Sequence, residues 1–281
     1  MGHITEETFE QTIRSFITSE LIDLREVSFI DPYGMVGLLE IGELCVLENV
    51  KKTVLLPQSD EVCNYLERMD FFGFARKYFS LAHVSIDKHI RKYHRSIESD
   101  VLLEITPIEK TNDIHFIVGK VRERAQSILA THLRYDECAI NDFIVALSEI
   151  CQNIIEHSEN KGFVGIQKYW YQSIDKNVVK IAVMDVGVGF RNSLSGRFKL
   201  QSDLEAIDKA LLHGASRFED EGRGQGLAAV RRFVKQWNGK LSIRSGTAKL
   251  SMIPNWSRGK EQKQKLIFFP GSQINIMLPA L

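Results

Sequence analysis

Residues 148–158, SEICQNIIEHS, contain the first side chains whose types and spacing could perform chemistry. In a helix, Glu149, Asn153 and His157 are spaced i, i+4 and i+8 and lie roughly along one face. A carboxylate one turn from a carboxamide oxygen can hold a hard divalent cation and polarise a water or hydroxyl beside it. The alternative is an ordinary polar helix face, and for His157 we favour this structural interpretation.

A second candidate lies at the end of an apolar strand, IAVMDVGVGF, where Asp185 is followed by Gly187 and Gly189. The carboxylate could accept a hydrogen bond from a planar donor, and the absence of side chains at the glycines would let a ring lie against the backbone. Taken alone, the same pattern is that of a common tight turn.

A third candidate, EGRGQGL, places Gly222, Gly224 and Gly226 before a helix that we expect to begin near Leu227. Free N–H groups and the helix dipole form an anion site there, and glycines let phosphates approach the backbone. The spacing fits neither a Rossmann fingerprint nor a P-loop. Arg223, between two of the glycines, could reach a phosphate or remain a solvated side chain.

The elements that must position these residues follow a pattern of mixed α+β structure from about residue 101 onward. We expect a mainly antiparallel sheet covered by helices on one face. The turn between the first two strands is predicted at 175–177. Helices are predicted at 112–131, 136–157 and up to about 237, and strands at 163–172, 178–186, 240–245, 265–269 and 273–278.

The first hundred residues instead alternate strands and helices, which predicts a small α/β unit with parallel strands. The polar stretch 83–99 is predicted to be a linker, so domains are predicted at 1–95 and 101–281. The elements are predicted as a helix at 6–18, a strand at 21–31, a helix at 35–48, a strand at 53–57 and a helix capped by Asp60.

Composition limits the class of protein. The chain has 281 residues, 44% of them hydrophobic and 26% charged, which is typical of globular domains and excludes disordered and collagen-like proteins. No apolar run approaches the ~18 to 20 residues that span a bilayer, and the amino terminus does not resemble a signal peptide. We therefore expect a soluble, cytosolic protein that does not associate with membranes. The four cysteines match no metal or disulfide framework, and we expect buried thiols.

Charge is distributed unevenly although the formal net charge is zero. Residues 1–100 carry 11 Lys and Arg against 17 Asp and Glu, and the remainder carries 25 against 19. Ten basic residues and one acid fall between 231 and 265. Such a stretch can bind nucleic acid, but it is more often a solvated face or a surface for an acidic partner or phosphates, so we do not expect a nucleic-acid partner.

The order of the three motifs resembles the N, G1 and G2 boxes of the GHKL ATPase superfamily, which includes histidine kinases, gyrase and anti-sigma factor serine kinases. The resemblance covers about residues 105–281. PGSQINIMLP is similar to the family's closing GTxFxIxLP, with Ser272 in place of the usual threonine that supports the adenine-binding Asp. The resemblance implies the Bergerat fold, a two-layer α/β sandwich with a mainly antiparallel sheet.

The resemblance also implies ATP and Mg²⁺ as cofactors. Asn153 would coordinate Mg²⁺ that bridges the phosphates, and Asp185, supported by Ser272, would accept a hydrogen bond from the adenine amino group. Glu149 stands where the hydrolysing and serine-kinase branches place their general base. The remaining binding residues implied are Gly187 and Gly189 beside the base, and Gly222, Arg223, Gly224, Gly226 and Leu227 at the phosphates.

Residues 190–221 would form the ATP lid under this resemblance. An apolar pattern at helical spacing within it is expected to dock over a bound nucleotide. This pattern consists of Leu204, Ile207, Ala210 and Leu211.

Two further features favour the anti-sigma branch of the superfamily. HGASRFEDEGRGQGL is most similar to stand-alone regulatory ATPases of this type, and the dimerisation helix of sensor kinases is missing. LREVSFIDPYGMVGLL resembles the later half of a STAS domain, although Asp31-Pro32-Tyr33-Gly34 has tyrosine where the phosphoacceptor serine would stand. We therefore expect no serine phospho-switch in this small STAS-like α/β domain.

The resulting hypothesis is an ATP- and Mg²⁺-binding regulatory protein of the anti-sigma type, with serine/threonine kinase or ATPase activity. Its expected partner is a STAS-domain antagonist or a sigma-like factor, and homodimers are common in this branch. The alternative is a non-catalytic module in which ATP binding only changes the conformation and the affinity for a protein partner.

Overall fold

A computed structural model describes residues 2–82, 100–212, 215 and 225–281. Contacts between residues divide the chain into two compact units, Met1–Ser99 and Asp100–Leu281. The stretch 83–99, which the sequence predicts to be a linker, lies outside the described residues. The boundary between the units falls at its carboxyl end.

The amino-terminal unit is a small α/β structure. Its elements are β1 (His3–Ile4), α1 (Phe9–Thr18), β2 (Leu21–Asp23), β3 (Phe29–Ile30), α2 (Pro32–Leu47), β4 (Lys52–Leu55), α3 (Asp60–Arg68), α4 (Phe71–Tyr78) and β5 (Phe79–Ala82). Strand β4 pairs in parallel with β2 on one side and β5 on the other, and β1 and β3 form a separate parallel pair. The parallel pairing agrees with the prediction.

The single strand predicted at 21–31 is wrong. The N–H of Arg25 donates to Oδ1 of Asp23 at 3.0 Å, and the N–H of Val27 donates to the carbonyl of Leu24 at 2.9 Å. These local bonds form a turn that separates β2 from β3, and the two strands belong to different sheets. A strand requires its backbone groups to pair with a neighbouring strand, so alternation of apolar residues is not sufficient evidence for one.

The starts of two helices differ from the predictions because of their caps. Helix α2 begins at Pro32, since Oδ1 of Asp31 accepts from the N–H of Gly34 at 3.0 Å and proline suits the first helical position. Tyr33 is therefore in the first turn of a helix, and it is 2% exposed. For α3 the capping residue is Ser59 rather than Asp60, because the Ser59 hydroxyl accepts from the N–H of the third helical residue.

Helix α1 begins at Phe9, later than the predicted start at residue 6. Residues 6–8 form a turn instead, in which the N–H of Thr8 donates to the carbonyl of Thr5 at 3.2 Å. The predicted amphipathic pattern is present from Phe9 onward, and Phe9, Ile13 and Phe16 are buried.

The carboxyl-terminal unit combines a seven-stranded sheet with helices. Its elements are β6 (Val101–Ile108), α5 (Thr111–Ala125), α6 (Glu137–Asn153), β7 (Gly162–Tyr171), β8 (Lys176–Asp185), α7 (Gly189–Leu194), α8 (Asp203–Leu212), α9 (Gln225–Gln236), β9 (Lys240–Gly246), β10 (Ala248–Met252), β11 (Gln262–Lys263) and β12 (Phe269–Pro279). π-Helical turns follow α5 at Gln126–Ala130 and α6 at Ile154–Ser158, and a short helical turn lies at Thr131–Leu133.

The sheet order is β11-β10-β9-β12-β8-β7-β6, and every neighbouring pair is antiparallel. Alternate residues of a strand point to the same face of a sheet, and Val179, Ile181 and Val183 of β8 all lie in the hydrophobic core. Phe143 and Leu147 of α6 are fully buried in the same core. The unit is thus a two-layer α/β sandwich, as the sequence predicts.

The opposite face of the sheet carries polar side chains. Arg244 of β9 is 1% exposed, and its guanidinium donates to the carbonyls of Gly246 and Ile267. The apolar core that supports the candidate site therefore lies on the helical side of the sheet. Further buried polar residues on the opposite face are Lys180, Lys240, Ser242, Lys249, Ser251, Gln273 and Asn275.

Helix α6 is the central helix of the core. Its first turn is capped by Asp136, whose Oδ1 accepts from the N–H of Ala139 at 2.8 Å. By length and composition alone, the segment Glu137–Ser158 could cross a membrane, contrary to the expectation that no segment could. Half of its most apolar 18-residue stretch is buried inside the protein, and α6 contributes side chains to the hydrophobic core.

The strand predicted at 265–269 is wrong as a separate element. Lys265 has φ 57°, and the N–H of Leu266 donates to the carbonyl of Thr247 at 2.9 Å. Residue 269 is instead the first residue of β12. The strand that pairs with β9 on its other side is β10, for which the sequence gives no prediction.

Two smaller predictions are also wrong. The turn before β8 ends at Asp175, which has φ 51°, so residues 176 and 177 belong to β8 rather than to the turn. The expectation that all four cysteines are buried fails at Cys138, which is exposed near the start of α6. The other three cysteines are buried free thiols.

Candidate functional site

Helix α6 presents Glu149 and Asn153 one turn apart, and both side chains are partly buried. The chain changes to a π-helical turn at Ile154, so His157 lies in a different kind of turn from Glu149 and Asn153. Hydrogen bonds in such a turn run from i to i+5, so the α-helical spacing ends at Asn153. π-Helical turns are frequent at functional sites.

The side-chain amide of Asn153 is incomplete in its hydrogen bonding. Its Nδ2 atom is buried and has no partner within the described part of the chain. Buried polar groups are almost always hydrogen-bonded, so an orphaned amide needs an explanation. A polar ligand beside the last turn of α6 would supply one.

Asp185, the last residue of β8, is 2% exposed and accepts from three donors. Oδ1 accepts from the Ser158 hydroxyl and from the N–H of Gly187, each at 2.8 Å. Oδ2 accepts from the hydroxyl of Ser272, the residue that pairs with Asp185 across β8 and β12. The structure therefore brings together the predicted pair of Asp185 and Ser272.

The buried carboxylate retains capacity for a further hydrogen bond. An ionised carboxylate offers about four acceptor sites, and of the three short hydrogen bonds two reach Oδ1 and one reaches Oδ2, so Oδ2 is the oxygen better placed to accept from a ligand. Burial raises the pKa of Asp185, and this rise is opposed by the Ser272 hydroxyl, the Gly187 N–H, the Ser158 hydroxyl and, least of all, the Ser272 backbone. These donors favour the ionised form, which can accept a hydrogen bond from a ligand.

The two glycines after Asp185 are required by close packing. A Cβ atom on Gly187 would overlap with the backbone carbonyl of Ser158, which cannot rotate away as a side chain could. Gly189 has φ +72°, and a Cβ there would lie 2.8 Å from Oγ of Ser245. The turn after β8 therefore packs directly against the end of the α6 segment.

The start of α9 lies beside Glu149. A Cβ atom on Gly226 would overlap with Oε2 of Glu149, so a larger residue there would displace the carboxylate. Leu227 is 7% exposed and belongs to the hydrophobic core. Gly222, Arg223 and Gly224 lie outside the described residues.

Two serines that organise the site were not predicted from the sequence. Ser158 binds Asp185, and its only signal is a hydroxyl at the end of an apolar helix. Ser245 donates to the carbonyl of Gly271 at 2.6 Å and accepts from the N–H of Phe190 at 3.2 Å. It thereby joins the turn after β8 to the residue before Ser272, and no local pattern marks it.

The described part of the predicted lid is packed rather than open. Ile207 and Leu211 of α8 are 0% and 1% exposed and belong to the core, so the expectation that they dock over a nucleotide is wrong. Asp203 anchors this helix, because its Oδ2 accepts from the N–H and the hydroxyl of Thr247 at 2.8 and 2.7 Å. Residues 213, 214 and 216–221 of the predicted lid lie outside the described residues.

The comparison with protein families agrees with this geometry. Residues 139–279 match the family described as "Histidine kinase-, DNA gyrase B-, and HSP90-like ATPase". The match spans just over half of the chain, and the chain therefore belongs to this family of ATPases. The GHKL resemblance is thus confirmed at the level of the superfamily, whose domains generally bind ATP with Mg²⁺. No curated protein sequence matches the chain significantly.

The residues present fit such a ligand. Asp185 keeps an acceptor for a base, and the orphaned amide of Asn153 marks a position for a polar ligand. In the described ranges no three His, Cys, Asp or Glu side chains cluster as a metal site. Mg²⁺ near Asn153 would take its other ligands from phosphates and water, as is usual for Mg²⁺ at nucleotide sites.

Proposed function

We propose that this protein is an ATP- and Mg²⁺-binding regulator of the anti-sigma factor type that phosphorylates serine or threonine on a STAS-domain partner. Membership of the ATPase family supports nucleotide binding, and the placement of Glu149 supports catalysis. We further propose that it acts in the cytosol, alone or as a homodimer, on an antagonist or sigma-like factor.

The nucleotide would bind along the segment that joins α6 to its π-helical turn. Asp185 would accept a hydrogen bond from the adenine amino group through the open position on Oδ2. Asn153 would hold Mg²⁺, which when bound supplies positive charge that neutralises the phosphates. The glycines before α9 would let phosphates approach its N-terminal N–H groups.

The observation that carries the catalytic proposal is the position of Glu149 beside the first turn of α9. A carboxylate therefore lies at the expected phosphate end of the site, one helical turn from Asn153. In phosphoryl transfer, Glu149 would take the proton from the attacking hydroxyl as that oxygen forms its bond to the γ-phosphorus. ADP would leave with the electron pair of the broken bond.

We propose that the amino-terminal unit is a STAS-like contact module. Its features favour a phosphoacceptor that lies on another protein. Tyr33 is buried in the first turn of α2 and packs edge-on against Phe9, with ring centroids 5.0 Å apart. Asp31 is occupied as the cap of that helix. This segment therefore does not present a hydroxyl as a phosphoacceptor loop would.

The test is incubation with γ-labelled ATP, Mg²⁺ and the STAS-domain proteins of the same cell. Label on a serine or threonine of one of these proteins supports the kinase proposal. Free phosphate alone, or ATP binding without turnover, overturns it in favour of a hydrolase or a non-catalytic switch. Glu149→Gln should lose most of the transfer activity, whereas Glu137→Gln, at an exposed carboxylate in the first turn of the same helix, should keep it.

A further inference from the structure

Ser158 connects the helical layer to the buried carboxylate of the sheet. It is the last residue of the π-helical turn and is 4% exposed. Its hydroxyl donates to Oδ1 of Asp185, and its carbonyl accepts from the N–H of Val188 at 2.9 Å. One residue thus contacts both the end of β8 and the turn that follows it.

Donors hold the two carboxylate oxygens of Asp185 from different directions. Ser158 and the Gly187 N–H bind Oδ1, whereas Ser272 binds Oδ2 from the neighbouring strand. With both oxygens bound, rotation of the carboxylate would break hydrogen bonds in a buried site, where unsatisfied groups are costly. The direction of the open acceptor position is therefore fixed.

We propose that Ser158 is a positioning residue that holds Asp185 as an ionised acceptor, so that the site selects a base carrying a hydrogen-bond donor over one carrying a carbonyl. This inference rests on the proposed nucleotide function. The site would therefore select 6-aminopurine nucleotides. It would reject purine nucleotides that carry a carbonyl oxygen at the 6-position.

The balance of forces on Asp185 supports this role. Burial raises its pKa, and the Ser158 hydroxyl is one of the groups that lower it. Without that hydroxyl the carboxyl would hold its proton more readily and could turn. A protonated carboxyl is a donor as well as an acceptor, and it would then bind a carbonyl oxygen.

The test compares binding of ATP and inosine triphosphate, which has a carbonyl oxygen in place of the amino group, by calorimetric titration of the full chain. Ser158→Ala should bind ATP about tenfold more weakly and reduce the preference for ATP by at least that factor. Ser158→Cys, which keeps a weak donor of similar size, should lie between the two and provides the test if the alanine variant does not fold.

Ser242→Ala is the matched control, because it removes a buried hydroxyl that bonds to Ser251 on the opposite face of the sheet. It should leave the preference unchanged. Equal losses for both nucleotides in the Ser158 variants, or an unchanged preference, would overturn the inference. A parent protein that binds neither nucleotide would instead refute the proposed function itself.

Discussion

Replacing Asp185 with Asn tests the proposed base contact with little change in shape. The amide oxygen can take the place of Oδ1 and accept from Ser158 and Gly187. The amide nitrogen then occupies the Oδ2 position, where the Ser272 hydroxyl can rotate to accept from it. The open position changes from an acceptor to a donor, so it faces the adenine amino group with the wrong polarity.

The expected loss follows from the bond that is removed. A hydrogen bond to a charged group contributes about 1.5 to 3 kcal/mol. This corresponds to roughly a 10- to 150-fold rise in the Kd for ATP. Asp185→Ala should lose similar affinity but also destabilise the fold, because the donors that bind this carboxylate would lose their acceptor.

A stability measurement should show whether Asp185→Asn loses ATP affinity through the missing contact or through unfolding. Burial raises the pKa of Asp185 above its ordinary value of 3.8, so the native state holds this proton to higher pH than the unfolded chain does. Between the pKa of Asp185 in the unfolded chain and its higher pKa in the native state, the unfolded chain binds fewer protons. The free energy of unfolding therefore falls as pH rises through this range. Asp185→Asn lacks this contribution and should be at least as stable as the parent at neutral pH.

Calorimetric titration with ATP and thermal unfolding at neutral pH are the assays. The control is Asp175→Asn, the same substitution at an exposed turn residue with φ 51°, a conformation that asparagine tolerates. Unchanged ATP affinity in folded Asp185→Asn would refute the assignment of this carboxylate to the base.

Three further predictions concern other parts of the unit. Asn153→Ala should weaken the Mg²⁺-dependent part of ATP binding, whereas Glu149→Ala should keep binding and lose about 10²- to 10⁴-fold in turnover, as binding and rate measurements with and without Mg²⁺ will show. Gly187→Ala should unfold the site or the domain, because its Cβ would overlap with a backbone oxygen; thermal melting with the exposed Gly196→Ala as control checks this. Burial lowers the pKa of Lys249 from 10.5 to about 7, so the unfolded chain binds more protons between these values and the free energy of unfolding should rise with pH there. Denaturant titrations of Lys249→Met across this range should show a flatter profile.

The site motifs could be predicted because each follows a strongly patterned element. Asp185 ends an apolar strand, and Asn153 lies near the end of a capped amphipathic helix. The positions of both side chains depend on where a single element ends, so local sequence is informative about them. The central strands β7, β8, β9 and β12 are predictable for the same reason.

Features that depend on distant partners could not be predicted. Strand β10 alternates apolar and polar residues over only five positions, and its pairing is set by Gly246, which has φ +59° and turns the chain back onto β9. The hydrogen bond from Ser158 to Asp185 spans 27 residues and requires a π-helical turn that no sequence period indicates. The sequence of helix α8 does not show whether it packs in the core or docks over a nucleotide, because an apolar helix face is compatible with both.

The two ends of the candidate site differ in how complete they are. Ser158, Ser245 and Ser272 come from different elements and already make the hydrogen bonds that shape the base side. At the other end, the Asn153 amide nitrogen is buried without a partner among the described residues. Under the proposed function, base recognition would depend on the π-helical turn, and phosphate chemistry would depend on the last α-helical turn before it. Because these turns are consecutive, a change in the register of this one segment would disturb both functions together.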